Sequence, residues 1–213
     1  MKLDEAKWLV HELIEMLRPG CERIEEAGSV RRGTAEPNDL EVVCIPRWEV
    51  LREFDLFGQV MRETRVCLLD DALEHAMPDY GPWMFDTETP RNGPKYKRLR
   101  HSTRGVCCDL FITSVQHWGV IYTIRTGPSA YSKMLVTIAQ KRGWFVDGGM
   151  LHQHGRPSKQ LPDGTWKPLP CPQGDECTRV ASTPEEVDFF RVLGVPWLEP
   201  DKRMLGKVVE YAR

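Results

Sequence analysis

The sequence predicts an α+β protein built from two lobes, and three observations lead to this prediction. Apolar residues at helical spacing begin the chain, and two apolar segments typical of strands come later, LEVVCI at 40–45 and VCCDLFI at 106–112. Near residue 115 the pattern changes to shorter elements, without a flexible linker. We therefore expect residues 1–115 to form a mixed sheet backed by helices, and residues 116–213 to form a small α+β domain.

Hydrophobic spacing predicts the elements of the first lobe. Apolar residues from Leu3 to Leu17 recur at helical intervals, and Pro19-Gly20 ends this helix. A second helix is predicted by a set of apolar residues with a similar spacing: Val50, Leu51, Phe54, Phe57, Val60 and Met61. Residues 78–94 are rich in Pro, Gly and acidic residues and predict a loop, whereas KYKRLR at 95–100 predicts a strand with a basic face.

The second lobe is predicted to contain two helices with short strands between them. The first of these helices begins at Ser129 and ends at Gly143, with apolar residues on one face. Short strand-like pieces follow from Trp144 to Val180. The last helix carries the strongest capping signal, with Thr183 as its N-cap and Glu186 three residues later, which is the pattern of a capping box.

Composition limits the classes of protein that this chain can represent. Of its 213 residues, 41% are hydrophobic and 28% are charged, which is typical of globular proteins. A formal net charge of −2 excludes binding to nucleic acid through overall charge, although it does not exclude a local basic face. No apolar run reaches the roughly 18–20 residues of a membrane span, and the charged N-terminus does not resemble a signal peptide. We expect an intracellular, cytoplasmic protein whose seven cysteines stay reduced.

The segment GSVRRGTAEPNDLEV, residues 28–42, contains two closely spaced acids. Asp39 and Glu41 lie two residues apart, so on a strand both side chains point to one face. Their Cα atoms are then roughly 6–7 Å apart. Two carboxylates in this arrangement can share a pair of divalent ions about 3.5–4 Å apart, as in-line phosphoryl transfer requires.

Three further groups complete a candidate site. Gly28 and Ser29 offer backbone N–H groups and a hydroxyl to a phosphate, and the Arg32 guanidinium can bind phosphate through two parallel hydrogen bonds. Asp109 interrupts an otherwise apolar strand, where burial of an unpaired carboxylate costs on the order of several kcal/mol. A metal ion or an arginine partner would compensate this charge.

Each of these features also has an ordinary structural interpretation. Exposed strands often carry acids, a Gly-Ser pair occurs in many turns, and adjacent arginines are commonly solvated. Only their occurrence together and in this order, with Asp109 downstream, is specific. The basic strand has two interpretations, since Lys95, Lys97, Arg98 and Arg100 form either a solvated strand face or a contact surface for a nucleic-acid backbone.

Four residues of the second lobe belong to types that ligate zinc: His152, His154, Cys171 and Cys177. Their spacing fits no standard zinc signature. The sequence therefore favours solvated loop histidines and ordinary thiols over a metal site.

The order GS-x-RRG, five residues, then Asp-x-acid resembles the palm signature of the DNA polymerase beta-like nucleotidyltransferases, the family X DNA polymerases. IRTGPSAYSKMLVTIAQKRGW at 124–144 is similar to the Thr-Gly turn and following helix of that family. STPEEVDFFRVLGVPWLEPDKR at 182–203 is similar to its C-terminal helix and closing segment. These blocks leave mainly residues 47–94 and 150–180 without a counterpart. The resemblance implies a minimal form of the family, in which the first lobe is the palm and the second is the thumb.

The resemblance also implies roles for individual residues. Asp39, Glu41 and Asp109 would be the catalytic residues and would bind two Mg²⁺ ions, which Mn²⁺ could replace. The nucleotide would be bound by a larger set: Gly28, Ser29, Arg32, Thr126, Gly127, Tyr131 and Ser132. Within this set, Tyr131 would stack on the nucleotide and Ser132 would face the edge of the base.

One peptide bond is expected to differ from the usual trans geometry. In the family, a strained cis bond follows the glycine of the Thr-Gly turn. Here Gly127 precedes Pro128, and an X–Pro bond costs only about 0.5–1 kcal/mol to hold cis. We therefore predict a cis bond between Gly127 and Pro128.

Together these observations predict nucleotidyl transfer from a (d)NTP to a nucleic-acid 3′-hydroxyl. The favoured form is a small monomeric DNA polymerase that acts on primer–template or gapped DNA in repair or replication. Glu41 stands where these polymerases usually have Asp. This residue keeps an alternative open, a nucleotidyltransferase that acts on a small molecule, an RNA or a protein.

A third hypothesis is a non-catalytic module that binds nucleic acid or assembles with other proteins. The presence of all three acids argues against it. Nothing before the first helix corresponds to the lyase and fingers modules of larger family members, so deoxyribose-phosphate lyase activity is not expected. The resemblance associates this size with viral or otherwise compact forms.

Overall fold

The computed structural model describes residues 1–77, 79 and 81–204, and it divides the chain into two compact units. The first unit consists of Met1–Val30 and Thr34–Ile112. The second unit consists of Arg31–Gly33 together with the residues from Thr113 onward. No helix in the described part of the chain combines the length and the apolar character that a membrane crossing needs.

A mixed five-stranded sheet backed by helices forms the first unit. In chain order its elements are α1 (Leu3–Leu17), β1 (Cys21–Glu26), the short helix α2 (Gly28–Arg31) that leads out of the unit, β2 (Leu40–Pro46), β3 (Trp48–Phe54), β4 (Val60–Cys67), α3 (Leu68–Ala76), β5 (Trp83–Phe85), β6 (Tyr96–His101) and β7 (Cys107–Ile112). The strand order in the sheet is β1-β2-β7-β6-β5, in which β2 and β7 are parallel and the other pairs are antiparallel. The two segments predicted as buried strands are therefore neighbours at the centre of the sheet.

Helix α1 packs against the sheet and against α3, and the predicted helix is confirmed. Leu3, at the start of the predicted helix, is half-buried, and five apolar residues that follow it are fully buried: Ala6, Leu9, Val10, Leu13 and Leu17. They meet apolar side chains of β1, β2 and α3 in one core. This core anchors the sheet whose central strands carry the predicted acids.

The predicted helix over residues 50–61 is wrong, because β3 and β4 form an antiparallel hairpin there. The turn between them is built by the Asp55 carboxylate, which accepts the backbone N–H groups of Phe57 and Gln59, and by Gly58 with a φ of 77°. All of β3 is exposed. The apolar residues therefore have no core to face, and their spacing does not reflect a buried helix side.

The segment 78–94, predicted as a loop, contains the short strand β5, which pairs with β6. Trp83 of β5 is fully buried, and its indole N–H donates to Oε2 of Glu12 at 3.2 Å. Pro78 and Tyr80 lie outside the described residues. Strand β6 confirms the strand predicted at 95–100.

As far as Met204, the second unit combines three α-helices with small sheets. Its elements are α4 (Trp118–Thr126), α5 (Ser129–Lys141), β8 (Phe145–Asp147), β9 (Met150–His152), β10 (Ser158–Gln160), β11 (Trp166–Pro168), β12 (Val180–Ala181) and α6 (Glu186–Leu193). Strands β12, β9 and β8 form one antiparallel sheet, and β10 pairs with β11 in a separate hairpin. Apolar side chains of α4, α5, β9 and α6 form the core. Helix α5 begins at Ser129 as predicted.

Helix α6 begins later than the capping signal predicts. Glu185 is the N-cap, and it forms a reciprocal capping box with Asp188. Thr183 donates its backbone N–H to the carbonyl oxygen of Gln116 at 2.7 Å and therefore belongs to the preceding segment. This shift turns the side chain of Glu186 into the core, where it is 6% exposed.

The predicted cis bond between Gly127 and Pro128 is wrong, since every peptide bond in the described residues is trans. Gly127 has a φ of −70° and a ψ of 152°, the extended conformation that a following proline favours. Its N–H donates to the carbonyl oxygen of Thr123 at 3.0 Å and closes helix α4. The trans form, which is intrinsically favoured for X–Pro bonds, is therefore compatible with this hydrogen-bonded turn.

Candidate active site

Glu41 and Asp109 face each other across the parallel pair β2 and β7, where they occupy the same register position. Their neighbours along each strand are fully buried, so the two carboxylates lie on the face of the sheet opposite those core side chains. The side chain of Asp109 is 16% exposed. The fold thus brings together two acids that are far apart in the sequence.

Asp39 lies directly before β2 and is exposed. The side chains of Asp39, Glu41 and Asp109 all influence the thiol of Cys108, which is completely buried in β7. Burial raises the pKa of this thiol most, and the negative charges of Asp109, Glu41 and Asp39 raise it further, in that order. All three predicted acids are therefore close enough to the Cys108 thiol to raise its pKa.

The Gly28–Ser29 turn lies against Glu41. Gly28 has a φ of 62°, and a Cβ at this position would overlap the Glu41 carboxylate. The backbone N–H of the preceding Ala27 donates to the Glu41 carbonyl oxygen at 2.8 Å. Among the residues that the structure describes, the buried hydroxyl oxygen of Ser29 has no hydrogen-bond partner. This hydroxyl is available to an anionic ligand of the turn.

Asp109 has an arginine partner, one of the two compensations that the sequence predicts. Arg98 stands opposite Asp109 on the antiparallel strand β6, and its Nη1 lies 3.2 Å from Oδ1 of Asp109. The Tyr96 hydroxyl donates to the same oxygen at 2.8 Å. Burial, and then the Asp109 carboxylate, raise the pKa of Tyr96, so this hydroxyl remains protonated and donates at neutral pH.

The basic strand is engaged with acids of its own unit. Arg100 contacts Asp86 at 2.9 Å and Glu88 at 2.7 Å, while Arg98 also approaches Asp86 at 3.4 Å. Hydrogen bonds from Thr89 and then from Arg100 hold the pKa of Asp86 well below its usual range, against the effect of burial. These contacts argue against Arg98 and Arg100 as primary ligands of a nucleic-acid backbone.

The two lysines of this strand differ in exposure. Lys97 donates to Oδ1 of Asn92 at 2.7 Å and lies 3.6 Å from Asp70. Lys95 precedes β6 and is exposed. Of the predicted basic contacts, Lys95 is the one whose side chain is most accessible to a ligand.

The predicted Thr-Gly turn lies in the second unit, where two arginines hold it. Nη1 of Arg31 donates to the Thr126 hydroxyl at 2.7 Å, and Nη1 of Arg32 donates to the Thr126 carbonyl oxygen at 2.6 Å. A Cβ on Gly127 would lie 2.7 Å from the Ser132 hydroxyl, so a larger residue here would force this side chain to move. Arg32, predicted to bind phosphate, therefore also supports this turn.

Tyr131 and Ser132 are buried rather than presented to a ligand. Tyr131 is fully buried in the core formed by α4, α5 and α6, which argues against the stacking role that the resemblance implies. The Ser132 hydroxyl donates to the carbonyl oxygen of Ile124 at 2.8 Å and helps to close helix α4. Both side chains have structural contacts within the second unit, and their contacts with a nucleotide stay predictions.

Sequence reasoning missed a buried ion cluster centred on Glu186. Arg31 contacts its two carboxylate oxygens at 2.9 and 2.7 Å, and Arg203 contacts them at 2.8 and 3.1 Å. Burial alone raises the pKa of Glu186, but the hydrogen bonds and charges of both arginines outweigh it and lower the pKa to about 2. The only sequence signal was an acid at a capping position, which predicts exposure.

The described residues contain one compact group of three or more potential metal ligands, and it is not the group of acids. It consists of His152, His154, Cys171 and Cys177, of which all but His154 are buried. His152 is fully buried, which differs from the solvated loop histidine that the sequence favours, and both cysteines are buried free thiols. The three carboxylates are less tightly grouped, but their hard oxygen donors are the type that Mg²⁺ prefers. Glu41 and Asp109 are paired on the sheet, and Asp39 lies directly before β2, so the residues present fit such an ion.

Two solved structures of polymerase beta from Leishmania infantum are similar to this protein. The ternary P/T complex aligns with a TM-score of 0.63 and 15% sequence identity, over 96% of this chain and 76% of that chain. The ternary gap complex aligns with a TM-score of 0.66 and 16% identity, over 95% and 70%. No protein-family model and no curated protein matches the sequence. The likeness confirms the predicted α+β fold, which this protein shares with polymerase beta.

Proposed function

We propose that the protein is a nucleotidyltransferase that joins a (d)NTP to the 3′-hydroxyl of a nucleic acid, as a small DNA polymerase of family X. The observation that carries this proposal is the register pairing of Glu41 with Asp109, beside the turn at Gly28 and Ser29. The fold shared with polymerase beta supports it. In this proposal residues 1–115 are the palm and residues 116–213 are the thumb.

The proposed reaction is an in-line displacement at phosphorus. The 3′-oxygen forms a bond to the α-phosphorus, the bond from that phosphorus to the oxygen bridging to the β-phosphate breaks, and pyrophosphate leaves. Asp109 accepts the hydroxyl proton, and Tyr96 and Arg98 orient its carboxylate. Asp39, Glu41 and Asp109 would hold Mg²⁺, which supplies neutralisation of the phosphate charge and a lower pKa of the attacking hydroxyl.

The turn at Gly28 and Ser29 is proposed to bind the triphosphate. The backbone N–H groups around a glycine with positive φ and the Ser29 hydroxyl are donors of the type that phosphate oxygens accept. We also predict that Arg32 contributes to triphosphate binding and that Lys95 contributes to binding of primer–template or gapped DNA. A monomeric state, an intracellular location and a role in repair or replication are further predictions of this proposal.

Extension of a labelled primer on gapped DNA tests this function. Wild-type protein should extend the primer with Mg²⁺ or Mn²⁺, whereas Asp39→Asn, Glu41→Gln and Asp109→Asn should each reduce the rate on the order of 10³-fold, as loss of a metal-binding carboxylate predicts. Glu25→Gln is the matched control, since Glu25 is an exposed carboxylate on the neighbouring strand β1. Wild-type rates in the Asp39→Asn variant, with unchanged thermal unfolding, would refute the assignment of the site.

A second candidate is transfer of the nucleotidyl group to a small molecule, an RNA or a protein. Glu41 favours it, because the polymerases that the chain resembles usually carry Asp at this position. Pyrophosphate release measured beside primer extension separates the two candidates. Release that depends on Asp39 and Asp109 without extension of any DNA primer would favour the second, whereas template-directed extension would exclude it as the main activity.

A further inference from the structure

The second unit contains a compact group of soft and nitrogen ligands that the proposed nucleotidyl transfer does not use. One ligand atom from each of His152, His154, Cys171 and Cys177 lies within 4.8 Å of all the others. Nε2 of His154 is 3.6 Å from Sγ of Cys171 and 3.7 Å from Sγ of Cys177. Two histidines and two cysteines are one of the standard ligand sets of structural zinc.

The distances agree with the edges of a zinc tetrahedron. With Zn–S bonds of about 2.3 Å and Zn–N bonds of about 2.05 Å at the tetrahedral angle, a sulfur and a nitrogen ligand are about 3.6 Å apart. The two separations from His154, 3.6 and 3.7 Å, match this value. One ion placed between the four side chains would therefore reach both sulfurs and His154 without a large displacement of the chain.

The surroundings of the group favour a neutral complex. Cys171 and Cys177 pack with Phe145 in a small apolar cluster, and the Phe145 ring stacks on His152 with centroids 4.9 Å apart. His154 meets the edge of the same ring at 5.4 Å. Two thiolates and two neutral imidazoles around Zn²⁺ carry no net charge, so this complex suits an apolar site in which an isolated ion would be unfavourable.

The chain brings the four ligands together through short local structures. His152 ends β9, and His154 follows two residues later in a bend of the chain, with the two ring centroids 5.1 Å apart. The backbone N–H of Cys171 donates to Oδ2 of Asp147 at 2.8 Å, which fixes its position beside β8. A 3₁₀ turn over Gly174–Glu176 then leads back to Cys177.

We propose that His152, His154, Cys171 and Cys177 bind one structural Zn²⁺ ion, which fastens the segment 153–179 to the sheet of β8 and β9. In this segment the two cysteines are the only buried residues. Its hairpin of β10 and β11 is exposed on both strands and contributes no core of its own. A metal supplies the stabilisation that hydrophobic burial does not supply here.

Metal analysis of the full-length protein tests this inference independently of any enzyme activity. We expect about one zinc per chain after dialysis, because a closed site of four protein ligands binds zinc tightly. The double variant C171S/C177S should contain less than a tenth of that amount. Cys67→Ser is the matched control, since Cys67 is a half-buried free cysteine of the first unit, and it should retain the wild-type zinc content.

Cobalt and proteolysis supply readouts on the wild-type chain, so the test does not depend on a variant that folds. After zinc is removed by a chelator under reducing conditions, added Co²⁺ should produce the visible bands of tetrahedral cobalt and a thiolate-to-metal charge-transfer band. Trypsin should cleave after the exposed Lys159 and Arg179 at least tenfold faster in the metal-free protein than in the zinc-loaded protein.

Three results would overturn the proposal. One is wild-type protein that retains no zinc and gives no tetrahedral cobalt spectrum after reduction. The second is a disulfide between Cys171 and Cys177, identified by mass spectrometry of the freshly purified, unreduced protein. The third is a C171S/C177S variant that holds as much zinc as the Cys67→Ser control.

Discussion

Replacing Glu186 by glutamine tests how much the buried ion cluster of the second unit contributes to stability, because both arginines of the cluster contact this carboxylate. The glutamine keeps the size of the side chain but removes the charge that Arg31 and Arg203 share. The side chain of Arg203 is completely buried, so the variant removes the carboxylate that this buried guanidinium contacts. Breaking a buried ion pair in this way typically destabilises a protein by about 3–5 kcal/mol.

The pKa of Glu186 gives a second value for the same effect. A decrease from 4.5 to about 2 corresponds to about 3 kcal/mol of folding free energy at neutral pH. Because the folded-state pKa is lowered, this contribution is fully present above pH 4.5 and is lost as the pH falls toward 2. At pH 3 about 1–1.5 kcal/mol of it should remain.

Urea unfolding followed by tryptophan fluorescence, at pH 7 and at pH 3, measures both values. The free energy of unfolding of Glu186→Gln should be about 3 kcal/mol below wild type at pH 7, and the difference should shrink by about 2 kcal/mol at pH 3. Glu63→Gln is the control, because its partner Arg52 is exposed and the pair should contribute nothing measurable. A Glu186→Gln variant as stable as wild type at pH 7, or a difference that does not change with pH, would refute this reasoning.

Three further substitutions test particular contacts. Gly28→Ala should lower the free energy of unfolding by about 1–2 kcal/mol and slow nucleotidyl transfer, because Gly28 has a positive φ and an added Cβ would overlap the Glu41 carboxylate. An unchanged melting temperature would contradict this expectation. Tyr131→Phe should leave the KM for nucleotide unchanged and raise the free energy of unfolding by up to about 1 kcal/mol. The reason is that burial raises the pKa of Tyr131 to about 12 and that its hydroxyl has no hydrogen-bond partner in the described residues. A tenfold higher KM would instead support stacking on the nucleotide. Gly119→Ala should cost about 2–3 kcal/mol in thermal unfolding, because its Cβ would overlap the Glu185 carbonyl, and a neutral result would show that α6 can shift.

Hydrophobic spacing predicted helices where a core covers one of their faces and failed where no core exists. Helix α1 buries its apolar stripe, so its period is visible in the sequence. The hairpin of β3 and β4 exposes its apolar residues, and their helix-like spacing is therefore coincidental. The local chemistry of the turn, Asp55 followed by Gly58, was the more reliable signal, because it acts through hydrogen bonds and backbone conformation rather than burial.

The candidate site depends on contacts between distant segments, and the sequence shows these only in part. The period of a strand predicts Asp39 and Glu41 on one face, but β2 begins only at Leu40, so this prediction is wrong for Asp39. The register that sets Glu41 beside Asp109 comes from pairing of two strands that are far apart along the chain. The arginine partner of Asp109 was predicted as one of two options, but its identity as Arg98 depends on the β6 register. The four His and Cys residues could be named from the sequence, but their proximity could not, because loops bring them together.

The parallel pairing of β2 with β7 has a consequence for directed evolution of this protein. Leu40 and Val42 enter the core on either side of Glu41, and both are fully buried. A slip of one residue would exchange the two faces of the strand, so hydrophobic packing enforces the alignment of Glu41 with Asp109. Libraries that randomise the two acids should therefore sample new ligand chemistries on an unchanged scaffold.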